Sequence, residues 1–407
     1  MKTITLIGVN FYPEDTAIGI YTTQMVEYLS QKGHKINIIT GFPYYPEWEI
    51  RKEYKKKARF YKETINSITV YRYKQYVPKN PTFFKRIIHL IDFTIGSFIN
   101  SFKIKETDLI ITVVPFTTTV FLGWILKKRL NAQLWTHIQD FEFDAAIQSG
   151  ISNSQKGLIF NTLFKIEKYL LNKTDLASTI SFSMLEKLKE KTKTPLFYFP
   201  NWIDKETINP KIAKAHSLYF QNNKFKILYS GNIGEKQDWH FFLEYMKELK
   251  EYKDVEVYIV GQGAKKEWLS KEILQFSFVK LFDPVPLNQL NDLLCSADLH
   301  LLFQKEDVLD NVMPSKILGM MASGKPSLIT GNKDSEVSKI ISQSKGGIYL
   351  QNNIKKVLTA FNNLYANNKL RKQIGKDARE YVICNFDSKT ILHKFGLEVQ
   401  NQLNNKS

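Results

Sequence analysis

Two lysines and a serine surround the predicted start of a short helix in the second half of the chain. The stretch Phe303–Pro326 begins as a polar loop that contains Lys305 and continues as an amphipathic helix that starts at Lys316, directly after Ser315. A predicted strand, Leu299–Phe303, feeds this loop. Open α/β sheets bind ligands at the carboxyl ends of their strands, and basic groups beside a helix N-terminus favour an anion. An ordinary strand-loop-helix connection is the alternative for these residues taken alone.

Three glycine-containing segments also follow predicted strands. Gly19 precedes a helix near the start of the chain, Gly231 and Asn232 open the loop that runs to Lys236, and Gly261 follows a later strand. A β-loop-α-β unit places such a loop and a helix start at one edge of a parallel sheet, where an anion or a sugar can bind. Gly19 by itself is equally consistent with an ordinary helix start.

His137 ends another predicted strand, Gln133–His137, and Asp140 follows it. A histidine at a strand end lies where a ligand can reach it, and its neutral and charged forms are both accessible near pH 7. A hydrogen-bonded structural histidine is the alternative.

The order of strands and helices predicts an α/β protein with two doubly wound, Rossmann-like domains. The chain has 407 residues, and domains of roughly 100–200 residues are usual. A polar, helix-poor segment, Asn209–Asn223, separates two series of alternating strands and helices. We therefore expect an N-terminal domain over 1–208, a C-terminal domain over 209–385, and a final helix over 386–407 that packs back on the N-terminal domain.

The composition indicates a globular protein with an anionic partner. The net charge is +17, and 43% of residues are hydrophobic, which excludes a disordered or fibrous chain. No helix-turn-helix, zinc-finger or RRM signature is present, so nucleic acid is not the expected partner. Cys295 and Cys384 lack metal-ligand spacing, and we expect no metal site. Met1 opens directly into a strand without a leader, which favours a cytoplasmic protein.

Residues 81–105 form a predicted helix with aliphatic and aromatic residues nearly all round and with lysines and arginines at both ends. Such a helix suits an anionic membrane surface, and a core helix is the alternative. The next apolar run, Leu109–Leu126, has eighteen residues without a charge, the length of a membrane span. Pro115 interrupts it, so we predict a strand over Leu109–Val114 and a helix over Val120–Leu130 instead.

Seven segments, collinear over nearly the whole chain, resemble glycosyltransferase family 4, and within it the transferases of colanic-acid and O-antigen synthesis. The segments are GHKINIIT (33–40), FPYYP (42–46), HIQDFEFDAA (137–146), FPNWID (199–204), LYSGNIGEKQ (228–237), VGQG (260–263) and MPSKILGMMASGKP (313–326). The resemblance implies the GT-B fold, in which two Rossmann-like domains face each other across a cleft. It implies that the C-terminal domain binds a nucleotide-sugar donor and the N-terminal domain binds the acceptor.

The resemblance also implies a chemistry and a location. Family members retain the anomeric configuration, and they neutralise the leaving diphosphate with basic side chains and helix N-termini instead of a metal ion. We expect a UDP- or GDP-sugar donor, with fucose or N-acetylfucosamine favoured by the subfamily. A polyprenyl-diphosphate-linked glycan is the expected acceptor, in capsule, O-antigen or exopolysaccharide synthesis. The protein is then expected to be peripheral on the inner face of the plasma membrane and to need no cofactor.

Some family positions match this chain. Lys236 matches the lysine placed against the diphosphate, and His137 matches the histidine near the donor sugar. Asp140 and Glu142 are further candidates to orient an acceptor hydroxyl.

Other family positions differ. Asn232 stands where an arginine is usual, and Lys316 or Lys305 is expected to replace that charge. The family's Glu-x7-Glu pair falls on Asn311 and Gly319, neither of which is acidic. We expect ribose recognition at Glu336, and sugar recognition at an acidic residue of the polar loop, namely Glu306, Asp307 or Asp310.

Two other functions stay open from the sequence. A non-hydrolysing sugar-nucleotide 2-epimerase shares the fold but needs acid/base carboxylates in its cleft. A basic, non-enzymatic protein that binds membranes or nucleic acid would also explain the net charge.

Overall fold

The computed structural model describes residues 1–14, 17–80, 82–115, 117–141, 143, 156–219, 222–307 and 315–405. The chain forms two compact units, and each contains one sheet. The N-terminal unit comprises Met1–Pro200 and Leu392–Ser407, and the C-terminal unit comprises Asn201–Ile391. The domain limits expected from the sequence, 1–208, 209–385 and 386–407, stay a prediction.

The N-terminal unit contains an eight-stranded sheet with the order β3-β4-β2-β1-β5-β6-β7-β8. All its pairs are parallel except β3 with β4. Its elements are β1 Thr3–Ile7, α1 Ala17–Gln31, β2 Lys35–Gly41, α2 Lys52–Lys55, β3 Phe60–Ile65, β4 Ile68–Tyr73, α3 Phe83–Ser101, β5 Leu109–Val114, α4 Thr117–Leu130, β6 Gln133–Ile138, α5 Lys156–Leu171, β7 Leu176–Thr179, α6 Phe182–Lys191 and β8 Leu196–Tyr198.

The long uncharged run of the sequence is a central strand followed by a helix. β5 is buried at every residue and pairs with β1 on one side and β6 on the other. A parallel strand covered on both faces has a continuous apolar sequence because neither face meets water. The predicted strand over Leu109–Val114 is confirmed, and the helix begins at Thr117, three residues earlier than expected. No helix of the described residues is long and apolar enough to cross a membrane.

The C-terminal unit contains a six-stranded, wholly parallel sheet with the order β11-β10-β9-β12-β13-β14. Its elements are β9 Phe225–Ser230, α7 Trp239–Leu249, β10 Val255–Val260, α8 Lys266–Glu272, β11 Val279–Phe282, α9 Leu290–Ser296, β12 Leu299–Phe303, α10 Ser315–Ala322, β13 Ser327–Thr330, α11 Glu336–Ser344, β14 Gly347–Leu350, α12 Ile354–Ala366 and α13 Asn368–Phe386. The last helix, α14, spans Ser388–Asn404.

The two Rossmann-like sheets confirm the predicted fold class. In the second sheet the strand order reverses at β9, which pairs with β10 on one side and β12 on the other. Doubly wound sheets bind ligands at such a point, outside the carboxyl ends of the strands. The predicted glycine and lysine segments follow β9, β10 and β12, so they belong to this edge.

The last helix, α14, packs on the sheet of the N-terminal unit through Phe395. The Phe395 ring is stacked on Phe199 with ring centres 4.9 Å apart and lies 5.2 Å from the Trp135 ring. A Cβ atom at Gly396 would approach the Tyr28 hydroxyl to 2.7 Å, so α14 also lies close against α1.

Candidate functional site

Two strand-end loops of the C-terminal unit, residues 231–236 and 261–263, pack main chain against main chain; we call them the glycine loops. The Gly231 amide donates a hydrogen bond to the Val260 carbonyl at 2.9 Å. A Cβ atom at Gly261 would lie 1.9 Å from the Gly231 carbonyl oxygen, a distance that no side-chain-bearing residue tolerates. Glycine is therefore required at position 261 for the close approach of the loops.

Lys316, in the first turn of α10, lies over the first glycine loop. Its ammonium group donates to the Tyr229 hydroxyl at 3.2 Å and lies 4.9 Å from the centre of the Tyr229 ring. Its Cδ atom is 3.2 Å from the position that a Cβ atom would take at Gly231. The Tyr229 hydroxyl in turn donates to the Asn232 carbonyl at 2.6 Å. The structure thus brings together Gly231, Asn232 and Lys316, three residues selected from the sequence.

Lys236 and Lys305 belong to loops that are joined by main-chain contacts. The Lys305 amide donates to the Lys236 carbonyl at 3.1 Å, and Gln237 forms an antiparallel bridge with Gln304. Lys236 is exposed and Lys305 is half-buried. Both lysines therefore lie at the carboxyl edge of the sheet, beyond β9 and β12.

This edge is suited to an anion. It combines the glycine loops, the N-terminus of α10, and the three lysines Lys236, Lys305 and Lys316, which together favour negative charge. A diphosphate whose charge grows as its bond to a sugar breaks is stabilised by such groups. Among the residues that the structure describes, no group of three His, Cys, Asp or Glu side chains could hold a metal ion.

The acidic candidates occupy different environments. Glu336 is 3% exposed in the first turn of α11, whose N-cap residue Ser335 accepts a hydrogen bond from the Ser338 amide. Glu306 is exposed, and its carboxylate accepts from the Asn352 amide at 2.6 Å. Asp307 is also exposed. Recognition of the ribose or the sugar by these residues stays a prediction.

Several candidates lie outside the described residues, namely Asp310, Asn311, Glu142 and the side chain of Ser315. Gly319, the second position of the family's acidic pair, is buried in α10. A Cβ atom there would lie 3.2 Å from Leu294 Cδ1. A side chain at position 319 would thus point towards the packed side of α10.

His137 lies on β6 with both ring nitrogens hydrogen-bonded inside the N-terminal unit. Nδ1 is 2.9 Å from Ser178 Oγ, and Nε2 is 2.9 Å from the amide nitrogen of Gln139. The side chain is 1% exposed, and burial lowers its pKa to about 3. An amide donor at Nε2 places the ring hydrogen on Nδ1, so the imidazole is neutral at pH 7. Its role near a donor sugar stays a prediction.

Asp140 and Gly19 both belong to the N-terminal unit, Asp140 after β6 and Gly19 in α1. Asp140 is half-buried just beyond β6. Gly19 is buried in α1, where a Cβ atom would lie 2.8 Å from the Glu14 carbonyl oxygen. The structure therefore accounts for glycine at position 19 by packing.

Glu14 is a polar residue of this sheet edge that sequence reasoning missed. It is 3% exposed, and its carboxylate accepts hydrogen bonds from the Tyr44 amide at 2.8 Å, the Tyr45 amide at 2.9 Å and the Asn10 side chain at 2.7 Å. Burial raises its pKa, an effect that these bonds and Arg72 oppose. Glu14 thereby ties the loop after β1 to the aromatic loop after β2. Its place in the loop between β1 and α1 was its signal in the sequence.

We expect the stability of the protein to fall as the pH drops from about 6.5 towards 5 because of buried histidines. Burial lowers the pKa of His137 and of His300 to about 3, so both are neutral in the folded state at pH 5, while the unfolded chain binds protons. Each residue then costs about 1.4 kcal/mol per pH unit below its unfolded pKa. Urea unfolding at pH 7, 6 and 5 measures the slope. His137→Gln should reduce it, and His240→Gln, at an exposed position, should not; equal slopes in all three proteins would contradict the expectation.

Comparison with known proteins shows the family to which the chain belongs. Residues 211–381 match the family model "Glycosyl transferases group 1". The chain is 35% identical over 357 residues to "Putative colanic acid biosynthesis glycosyl transferase WcaI" of Escherichia coli (strain K12), covering 83% of this chain and 85% of that protein. In structure it is similar to the sucrose-phosphate synthase of Thermosynechococcus elongatus, with a TM-score of 0.76, 15% identity and full coverage of both chains. It is also similar to HepE of Anabaena in complex with UDP, with a TM-score of 0.67, 13% identity and coverage of 98% and 100%.

The two Rossmann-like sheets and the similarity to these solved structures show the GT-B fold. The chain belongs to the glycosyl transferases group 1 family.

Proposed function

We propose that the protein transfers a sugar from a UDP- or GDP-linked donor to a polyprenyl-diphosphate-linked glycan in the synthesis of a cell-surface polysaccharide. The observation that carries the donor half of the proposal is the position of Lys316 over the glycine loops at the reversal point of the second sheet. HepE of Anabaena, which has the same fold, has been crystallised with UDP, and the E. coli relative is described by colanic acid synthesis. Both support the proposal.

The transfer is proposed to retain the anomeric configuration and to need no metal ion. When the donor bond breaks, negative charge develops on the diphosphate, and Lys236, Lys316 and the start of α10 are the groups at this edge that can stabilise it. If the leaving phosphate takes the acceptor proton, no protein nucleophile is required. A neutral, buried His137 is compatible with this chemistry because it need not exchange a proton.

The acceptor half of the proposal rests on α3, which carries a stripe of exposed apolar side chains. One side of the helix is in the core, where Phe93 is 0% and His89 is 1% exposed. The other side has an apolar residue at every third or fourth position along the helix and its C-terminal end: Phe84, Ile88, Ile91, Ile95, Ile99 and Phe102, each between 46% and 75% exposed. We call this set the α3 stripe.

Exposed cations border the α3 stripe at both ends, namely Lys79, Lys85, Arg86, Lys103 and Lys105. A core helix would not expose six large apolar residues in a row, whereas an interfacial helix inserts them among acyl chains and places its cations at anionic headgroups. We therefore propose that the N-terminal unit rests on the inner face of the plasma membrane, where lipid-linked acceptors are found.

The function is tested by incubating the protein with a panel of UDP- and GDP-sugars, including GDP-fucose and UDP-N-acetylfucosamine, together with polyprenyl-diphosphate-linked glycans. Mass spectrometry of the lipid fraction reports the product, and NMR of the new linkage reports the anomeric configuration. Absence of transfer to every lipid-linked acceptor would overturn the proposal. Release of an epimerised nucleotide sugar without acceptor would indicate the epimerase instead.

We expect the double variant Ile91→Gln/Ile95→Gln to lose about 10- to 100-fold in affinity for anionic vesicles, because each isoleucine that inserts its exposed half among acyl chains contributes about 0.7 to 1.4 kcal/mol. Flotation of the protein with phosphatidylglycerol-rich vesicles measures the loss. Ile212→Gln/Leu274→Gln is the matched control, since these residues are 64% and 82% exposed on the C-terminal unit. Equal flotation of both double variants would show that the α3 stripe does not contact the membrane.

A further inference from the structure

The Tyr229 side chain is fixed in position by the core of the C-terminal unit. It is 0% exposed, and its ring centre lies 5.2 Å from that of Trp239 and 5.1 Å from that of Phe303. A tyrosine has two side-chain torsions, and both are restricted when the ring is packed against aromatic neighbours. The hydroxyl oxygen therefore occupies one place, at the carboxyl end of β9.

The Tyr229 hydroxyl group makes two hydrogen bonds, one as donor and one as acceptor. It donates to the Asn232 carbonyl at 2.6 Å and accepts from the Lys316 ammonium at 3.2 Å. Burial raises the pKa of Tyr229 above its ordinary value, so the phenol keeps the hydrogen that it donates. One buried side chain thus joins the first glycine loop to the first turn of α10.

This contact restrains the end of a long side chain. A lysine has a four-carbon stem, and its ammonium group can sweep a large volume when nothing holds it. Here the ammonium of Lys316 is hydrogen-bonded to Tyr229 and lies 3.6 Å from the position of a Cβ atom at Gly231. The positive charge of Lys316 is consequently held beside the first glycine loop. Asn232, in that loop, carries no charge of its own.

We propose that Tyr229 is a positioning residue that holds the Lys316 ammonium group in place for the diphosphate of the donor. The inference rests on the proposed function, because it concerns the donor site of that reaction. Tyr229 itself does not contact the donor. Because Tyr229 already orders the Lys316 side chain, less conformational entropy is lost when the diphosphate binds. The second hydrogen bond of Tyr229 fixes the Asn232 carbonyl, so the loop keeps its shape.

The test compares Tyr229→Phe, Lys316→Met and the double variant by calorimetric titration with UDP and GDP. Tyr229→Phe keeps the packed ring and removes only the hydroxyl. We expect it to weaken binding of the nucleoside diphosphate by about 5-fold, and Lys316→Met to weaken it by about 10- to 50-fold, as for hydrogen bonds to charged groups. The double variant should bind no more weakly than Lys316→Met, because the tyrosine acts through the lysine.

Two controls separate positioning from a general structural effect. Tyr258→Phe removes a hydroxyl that donates to Glu256 at 2.6 Å on the neighbouring strand β10, and it should leave diphosphate binding unchanged. The free nucleoside, uridine or guanosine, should bind Tyr229→Phe and Lys316→Met as it binds the parent, because it lacks the diphosphate. Melting temperatures identify any variant that fails to fold.

Each outcome decides the inference. Unchanged diphosphate affinity in Tyr229→Phe, or losses that add in the double variant, would overturn the positioning role while leaving the proposed function intact. If Tyr229→Phe does not fold, Lys316→Met decides, and the inference falls if that variant binds the diphosphate normally. If the parent binds neither UDP nor GDP, both the inference and the proposed donor fall.

Discussion

Gly261→Ala is expected to destabilise the C-terminal unit by about 3 kcal/mol or more and to abolish binding of the nucleotide, because overpacking in a closed region is severe. The added Cβ atom would lie 1.9 Å from the Gly231 carbonyl oxygen and 3.1 Å from its carbon. Both atoms belong to the main chain, so no side-chain rotation relieves the contact. The loops after β9 and β10 must separate, which breaks the bond from the Gly231 amide to Val260.

Urea unfolding and UDP or GDP titration measure the two effects of Gly261→Ala. Gly319→Ala is the matched control within the same unit. Its Cβ atom would meet the end of the Leu294 side chain at 3.2 Å and no main-chain atom, and alanine is favoured over glycine inside a helix by about 1 kcal/mol. We expect Gly319→Ala to be close to the parent in stability. Parental stability in Gly261→Ala would show that the two loops are not held together as the structure has them.

Most of the second sheet could be predicted from the sequence because its strands are short apolar runs between glycines, prolines and charged residues. The predicted bounds of β12, Leu299–Phe303, coincide with those observed. A parallel strand buried on both faces leaves little ambiguity about where the apolar run begins and ends.

The hairpin of β3 and β4 was missed for physical reasons. β3 alternates exposed and half-buried residues, and the sequence that leads into it is rich in lysine and arginine, which is the composition of a solvated loop. The turn that joins the strands is Asn66-Ser67, with φ angles of 47° and 70°. Glycine usually occupies the second position of such a turn, and its absence removed the sequence signal for a hairpin.

The candidate site could be predicted only where a residue type is required by the main chain. Gly231 and Gly261 were recognisable because loops at strand ends use glycine for close approach. Tyr229 was not, since one aromatic residue in an apolar strand is usually core, and its hydroxyl contacts depend on the position of Lys316 in a distant segment. His137 was selected for its place at a strand end, but the sequence does not show that Ser178 and Gln139 enclose its ring.

The exposure of the α3 stripe could not be predicted from the sequence either. The sequence of 81–105 has apolar residues around most of the helix, so periodicity could not decide between a core helix and an interfacial one. The structure separates the two faces, with Phe93 in the core and Ile91 and Ile95 exposed. The distinction depends on which side of the helix the sheet covers, and that is set by the order of strands.

Lys236→Ala is expected to lower kcat of the proposed transfer by about 100- to 1,000-fold, the size found when one group that stabilises developing negative charge is removed. Lys236 is exposed beyond β9, and its carbonyl accepts from the Lys305 amide, so the loop that carries it is tied to the strand-end loop of β12. This tie involves only the main chain, which the substitution leaves in place. The loss should therefore appear in turnover, with a melting temperature close to that of the parent.

The split between kcat and KM tests the role of Lys236 directly. Charge on the diphosphate grows in the transition state, so a lysine that stabilises it should affect kcat more than the KM of the donor. Lys247→Ala, at an exposed position in the last turn of α7, is the matched control for loss of one positive charge from the same unit. Initial rates with the active donor measure both variants. Equal kinetics for Lys236→Ala and Lys247→Ala would remove Lys236 from the site and leave Lys316 as the cation that the structure places over the glycine loops.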